Sequence, residues 1–317
     1  MSASADQPVV AEVVRSGFVE CRHRGSVVAV DPDGSVLWNV GVVDQPMFPR
    51  SSNKPMQAAA MVRAGLGLRG RLLALACGSH SGEPEHIAGV REILAGEGLD
   101  ESALQNPPDF PLDEVAREEW IRAGGHREPV AMNCSGKHSA MLATCVANDW
   151  DITDYLHVSH PLQGRISEVV AELTGDQINA IGVDGCGAPL LATSLVGLAR
   201  AFSRLAQSDP DSAEGAVVAA ITAHPQMVSG SRRDEPALLR AYPGAIGKAG
   251  AEGCHAFALP DGTAVALKIE DGAERARPVV LVAALRRLGL DADVLDEVGR
   301  HRVLGGGRPV GEIRATL

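Results

Sequence analysis

Aromatic residues make up only 3% of this sequence, so large rings cannot fill its interior, and alanine, valine and leucine must do so. Lysine is scarce as well. Only Lys54, Lys137, Lys248 and Lys268 occur, and arginine supplies the rest of the 29 basic side chains. An excess of positive charge is missing altogether: the formal net charge is -11 and the pI is near 5.4. That excludes the basic surface nucleic acid requires for counterion displacement and points to a small-molecule ligand. No run approaches the roughly 20 apolar residues of a membrane span. The opening stretch MSASADQPVVAEVVRSG has neither the basic start nor the apolar segment of a signal peptide, so the expectation is a cytoplasmic protein away from the membrane. The six cysteines, Cys21, Cys77, Cys134, Cys145, Cys186 and Cys254, lack the density of a disulfide framework and are expected to be thiols or metal ligands.

What is present fits one large domain over residues 1–317, with 45% hydrophobic and 22% charged residues. Residues 9–41 alternate apolar and polar with many β-branched side chains, and VVAVDPDGSVLW, Val27 to Trp38, predicts a hairpin with Asp-Gly in its turn. From Asn53 helical periodicity takes over, with Pro55 near the first turn and Gly65 as a stop, and runs to about residue 245. Helices are predicted from Glu83 to Ala95, Asp113 to Ala123, Gly136 to Asn148, Leu162 to Leu173 and Leu190 to Ala206. A second hairpin follows, Cys254 to Gly272 around Pro260-Asp261-Gly262, then the helix VVLVAALRRLGL and a last strand near Val310 to Ala315. The expected fold class is α+β: an antiparallel sheet from both termini (about 9–45 and 250–317) with a mainly helical middle (about 53–245). That layout resembles serine β-lactamases and penicillin-binding proteins.

At the junction of sheet and helix lies Ser51-Ser52-Asn53-Lys54. An S-x-x-K spacing opening a helix places hydroxyl and amine on one face. A serine is a weak nucleophile until a base takes its proton, and a desolvated lysine can be that base. The bland alternative is a helix-capping serine beside a solvated lysine. Lys268, on the returning strand of the second hairpin, has the position of a β-lactamase K-T-G lysine without the Thr-Gly that follows it. Its alternative is an edge-strand lysine in water. MNCSGKHSAM contains Cys134, Lys137 and His138 at a helix start, and GVDGCGAP contains Asp184 and Cys186 in a Gly-rich turn. Two thiolates with a nitrogen ligand suit zinc, and by residue type His138 is the better nitrogen than Lys137. The alternative is a pair of buried thiols. ACGSHSGEPEH offers Ser79 as a second hydroxyl, and Cys77 with His80 or His86 as a thiol pair or half a metal site. GLGLRG, Gly65 to Gly70, fits G-x-G-x-x-G but follows a helix and not a strand, so it reads as a loop.

The phrases RSGFVECRHRGSVVAVD, PRSSNKPMQA, CGSHSGEPEH, NCSGKHSAML, HPLQGRI, DGCGAP, HPQMVSG, GKAGAEG and LKIEDG together resemble the asparaginase II family, the rhizobial-type L-asparaginases. The resemblance covers nearly the whole chain and implies hydrolysis of L-asparagine to L-aspartate and ammonia. It implies two Ser-Lys tandems, Ser51 with Lys54 and Ser79 with Lys268, and a zinc site on Cys134, Lys137 and Cys186 with His138 behind it. Arg50, Asp184 and His138 become candidates for the substrate's carboxylate and ammonium, Asp184 foremost for the ammonium. A homodimer is the expected assembly. The competing readings are a β-lactamase or peptidase-like serine amidohydrolase, and a non-catalytic zinc-dependent binding protein on the same scaffold.

Overall fold

The computed structural model describes residues 7–317. The chain opens with strands β1 (Val9–Arg15), β2 (Phe18–Val30), β3 (Val36–Val40) and β4 (Pro46–Met47). Helices α1 (Lys54–Arg63), α2 (Gly70–Ala76), α3 (Pro84–Gly96), α4 (Glu114–Arg122), α5 (Ser135–Ala147) and α6 (Pro161–Thr174) follow. Three short strands, β5 (Ile181–Val183), β6 (Pro189–Leu191) and β7 (Thr193–Ser194), interrupt before α7 (Leu195–Ala206), α8 (Ala213–Ala223), α9 (Pro225–Val228) and α10 (Asp234–Ala241). The chain then returns to sheet in β8 (Ile246–Gly250), β9 (Cys254–Ala258) and β10 (Ala264–Ile269), and closes with α11 (Arg277–Arg287), α12 (Asp293–Val298), β11 (His301–Gly305) and β12 (Arg308–Ala315).

The main sheet has the order β11-β12-β1-β2-β10-β9-β8, with β3 pairing β2, and its ladders are antiparallel. The sheet is therefore built from both ends of the chain around a helical middle, as the periodicity predicted. Both predicted hairpins form. In the first, Asp31 Oδ1 accepts from Ser35 N at 2.8 Å, and Gly34 takes the φ of 79° that disfavours a side chain.

Two boundaries differ from expectation. Leu190 and Leu191 belong to β6, and the helix predicted from Leu190 begins at Leu195, where Ser194 Oγ accepts from Gly197 N at 2.9 Å. An apolar run hid two short strands, and the N-cap serine ends the second of them, β7. Strand β8 (246–250) falls between the helical stretch predicted to about 245 and the sheet predicted from about 250; five residues with two glycines carry too little periodicity to announce a strand.

One cluster of buried apolar side chains runs from Val10 on β1 to Ile313 on β12. Helix α1 passes through its middle, with Ala58, Ala59 and Ala60 fully buried, packed among α5, α6 and α8. Small side chains let these backbones approach closely, which is how a chain so poor in rings fills its core. No helix among the described residues is long and apolar enough to cross a membrane.

Candidate active site

The site begins where β4 gives way to α1. A 3-10 turn, Arg50–Asn53, leads directly into α1, and Arg50 is held at a φ of 51°. A left-handed conformation is unfavourable for a residue with a Cβ and must be imposed by its surroundings. The surroundings are visible in β8: a Cβ on Gly250 would lie 2.6 Å from Pro49 O and 3.2 Å from Ser51 N. The edge strand therefore seats directly on the turn that carries Ser51. Gly250→Ala is expected to lose about 1–3 kcal/mol of stability through overpacking, read as a shift of the urea midpoint at unchanged m-value; no shift would contradict this contact.

Lys54 is the first residue of α1 and only 1% exposed. Its Nζ donates to Ser79 Oγ at 2.9 Å, to Cys134 Sγ at 3.1 Å and to Gly78 O; the Ser51 hydroxyl is not among these partners. Ser79 sits on the loop after α2, tied down by its own N–H to Val228 O at 2.9 Å and by His80 N to Asn133 O at 3.0 Å. The lysine of the expected Ser51 tandem thus holds the serine of the other. The reason is tertiary: the buried end of α1 meets the end of α2 and the start of α5, so the amine has three acceptors waiting inside.

Lys268 does not join Ser79. Its Nζ donates to Ile269 O at 2.7 Å and to Glu252 O, which fixes it on the β8–β9 turn. Burial lowers its pKa. The lysine on the strand packed against the Ser51 turn is Lys248, which sequence reasoning left without a role. It lies two residues before Gly250, so side-chain alternation puts it on the face that meets the turn. Lys248 is 1% exposed and pairs with Glu235 Oε1 at 3.0 Å, close enough to Lys54 for that charge to help lower its pKa beneath the larger effect of burial. The readable signal was Lys-Ala-Gly at 248–250, spaced like K-T-G.

The remaining predicted residues converge from two other elements. Arg50 Nε donates to Asp184 Oδ1 at 2.8 Å, which also accepts from Gly185 N at 2.8 Å. Two residues on, Cys186 Sγ accepts from Lys137 Nζ at 3.2 Å, and Cys134, Cys186 and Ala188 pack as one small buried cluster. The neighbouring Cys134 thiol holds the Cys186 thiol well below its ordinary value, helped by the Lys137 ammonium, while Cys186 and burial raise Cys134. Burial lowers Lys137, but the neighbouring Cys186, Cys134 and Asp184 outweigh it and keep it an ammonium. Burial pushes His138 down to about 4, so its ring is neutral. His138 Nδ1 pairs with Tyr155 Oη at 2.8 Å, and Nε2 is buried without a partner. Two soft sulfurs and a lysine amine in one buried cluster are a donor set that suits a zinc ion.

Other motif residues have structural uses. Cys77 is buried, with its thiol raised by that burial and donating to Leu73 O at 3.2 Å, while His80 pairs with Ser135 Oγ at 2.8 Å; they form no thiol-base pair. Glu83, Glu85 and His86 have ligand atoms within 4.8 Å of one another, but His86 caps α3 through Glu83 N at 3.1 Å and spends its other nitrogen on Gln226 O at 3.0 Å. Gly65 and Gly70 bracket the loop between α1 and α2, as expected.

Beside the turn opens a cavity of about 390 Å³ lined by Phe48, Arg50, Gly182, Val183, Leu190, Glu252 and Lys268. It joins an apolar wall to three charged side chains, one of which, Arg50, directly precedes Ser51.

Among curated proteins none matches this chain. Solved structures similar to it include a β-lactamase from Mycobacterium bovis, at 17% identity over 84% of this chain and 95% of that one, TM-score 0.47. Mglu in its native form is similar at 17% identity, over 91% and 71% of the two chains, TM-score 0.45. A Bacillus glutaminase is similar at 13% identity, over 84% and 91%, TM-score 0.36. The family model of L-asparaginase II matches residues 11–315, a span that contains every residue of the site described above: this chain belongs to the L-asparaginase II family and is an amidohydrolase.

Proposed function

We propose that this amidohydrolase converts L-asparagine to L-aspartate and ammonia, with Ser51 as nucleophile, Lys54 as base and Ser79 as proton carrier. The observation that supports this most is the buried Lys54 amine, 2.9 Å from Ser79 Oγ and three residues after Ser51 in a continuous helical turn, a spacing that puts both on one face. Ser51 Oγ bonds to the side-chain carbonyl carbon and gives its proton to Lys54, whose ammonium must first give up one of the three protons it donates in the resting site. The proton passes through Ser79 to the departing nitrogen as the C–N bond breaks and ammonia leaves. Water then attacks the aspartyl ester, one proton of the water returning to Ser51 along the same path. A second reading, Ser79 as nucleophile, is favoured by the direct contact with Lys54 that Ser51 lacks.

Cys134, Lys137 and Cys186 would hold a zinc ion. When bound, zinc supplies Lewis-acid polarisation or orientation of a substrate carbonyl. For this, Lys137 must lose its proton, and Asp184 keeps Arg50 aimed at the cavity. Dialysed protein is expected to retain about one zinc per chain, as a site with two thiolate ligands would, and Cys186→Ala to retain none; equal zinc content by elemental analysis in both would contradict the assignment.

The experiment for the activity follows ammonia release from L-asparagine and L-glutamine, and ring opening of a chromogenic β-lactam by its absorbance change, with the purified protein. Release fastest from L-asparagine is expected. Turnover of the β-lactam alone would favour the β-lactamase-like reading, and binding of L-asparagine without turnover the non-catalytic one.

A further inference from the structure

The turn between β8 and β9 contains a residue with an unusual backbone and an exposed charge. Glu252 sits at a φ of 59°, a conformation usually left to glycine or asparagine, although Gly253 stands next to it. Three contacts impose and use this conformation. Lys268 Nζ donates to the Glu252 carbonyl as well as to Ile269 O, so a lysine spends two of its three donors as a backbone clamp. Glu252 Oε2 lies over Gly272, where a Cβ would be 2.3 Å from it. Glu252 Oε1 lies 3.4 Å from Arg50 Nη1. The carboxylate is thereby aimed into the cavity beside Ser51 while remaining 58% exposed.

Asp184, the residue expected to take the substrate's ammonium, is committed elsewhere. Its Oδ1 accepts from both Arg50 Nε and Gly185 N, its Oδ2 faces Cys186 Sγ at 3.8 Å, and the side chain is 11% exposed. Among the described residues that line the cavity, Glu252 is the one carboxylate, and it retains free acceptor capacity. Arg50, next to it, keeps guanidinium donors for an anion.

We propose that Glu252 is the specificity-determining residue for the substrate's α-ammonium group and that Lys268 is its positioning residue, so that this site selects a free, zwitterionic α-amino acid. The proposal rests on the amidohydrolase reading above. The substrate's α-carboxylate pairs with Arg50, its ammonium with Glu252, and the short side chain points along Arg50 towards Ser51. Phe48, Val183 and Leu190 form the apolar wall of the cavity beside both ion pairs. A substrate lacking the ammonium loses a charge-assisted hydrogen bond, which corresponds to about a 10- to 100-fold loss of specificity.

The test compares L-asparagine with succinamate, the same amide without the amino group, in the wild type, Glu252→Gln and Lys268→Met. The preference for L-asparagine, as a ratio of kcat/KM values, is expected to fall about 10- to 100-fold in Glu252→Gln, mainly through KM, and in the same direction in Lys268→Met. An unchanged ratio in Glu252→Gln overturns the proposal. So does a Lys268→Met protein that loses kcat on both substrates at an unchanged ratio, since that would place Lys268 in the chemistry. Calorimetric binding of L-aspartate against succinate runs in parallel and needs no turnover. A wild type that is inactive yet prefers L-aspartate, with that preference lost in Glu252→Gln, would sink the catalytic reading and leave this one standing; no preference in the wild type would sink this one.

Discussion

Ser51→Ala is expected to lower kcat on L-asparagine by about a thousandfold or more, the scale on which removing a hydrolase nucleophile acts. Ser79→Ala is expected to cost about 10²–10⁴-fold, the range of a lost proton carrier. The order of the two follows from their positions. Ser51 follows a strained Arg50 at φ 51°, whose side chain lines the cavity, and stands at the opening of the helical turn that leads into α1. Ser79 is held by Lys54 at 2.9 Å, where it can pass a proton but lies further along the relay. Acid quenching during turnover, followed by peptide mass spectrometry, decides between them. An aspartyl group on the peptide bearing Ser51 is predicted; one on the peptide bearing Ser79 would reverse the two roles.

Glu235→Gln is expected to be the most destabilising single change near the site, at about 3–5 kcal/mol, the cost of leaving one member of a buried ion pair without its partner. Glu235 and Lys248 are each 1% exposed and 3.0 Å apart. Glu235 Oε1 also accepts from Ala249 N at 2.9 Å, so the carboxylate fixes strand β8 as well as its lysine. Burial alone would raise the Glu235 carboxyl, but the Lys248 ammonium and Arg233 outweigh it and hold it at about 2, against an ordinary 4.5. A depressed carboxyl contributes stability that is present above pH 4.5 and is lost as pH falls through its folded value of about 2. Glu235→Gln should therefore flatten the acid limb of a stability profile in that window as well as lower its plateau. The isosteric double variant Lys248→Met with Glu235→Leu should recover much of the loss, because an apolar pair carries no desolvation penalty. A wild-type midpoint in Glu235→Gln would contradict the pairing.

Local signals explain which parts of this structure were legible in the sequence. Asp-Gly within VVAVDPDGSVLW gave the first hairpin its turn, and the change of period at Asn53 gave the start of the helical region. Strand β8 was not legible, since Ile246–Gly250 is short and glycine-rich, and its place at the sheet edge depends on pairing with β9. That one strand decides the lysine question. Strand order puts Lys248 against the Ser51 turn and Lys268 two strands inward, and no local pattern encodes strand order. The Ser51 to Lys54 spacing was readable within one helical turn, whereas the bond from Lys54 to Ser79 needs α1 and the end of α2 to meet. Lys137 as a metal ligand came from family resemblance alone; residue chemistry preferred His138, whose Nδ1 is paired with Tyr155.

The most direct measurement is the appearance of L-aspartate and ammonia from L-asparagine, followed by proton NMR and an ammonia assay, with wild-type and Ser51→Ala protein side by side. Equal amounts of the two products from the wild type, and about a thousandfold less from the variant, is the predicted result. Folded wild-type protein that releases neither product, or a Ser51→Ala protein that matches it, would contradict a serine amidohydrolase acting on asparagine.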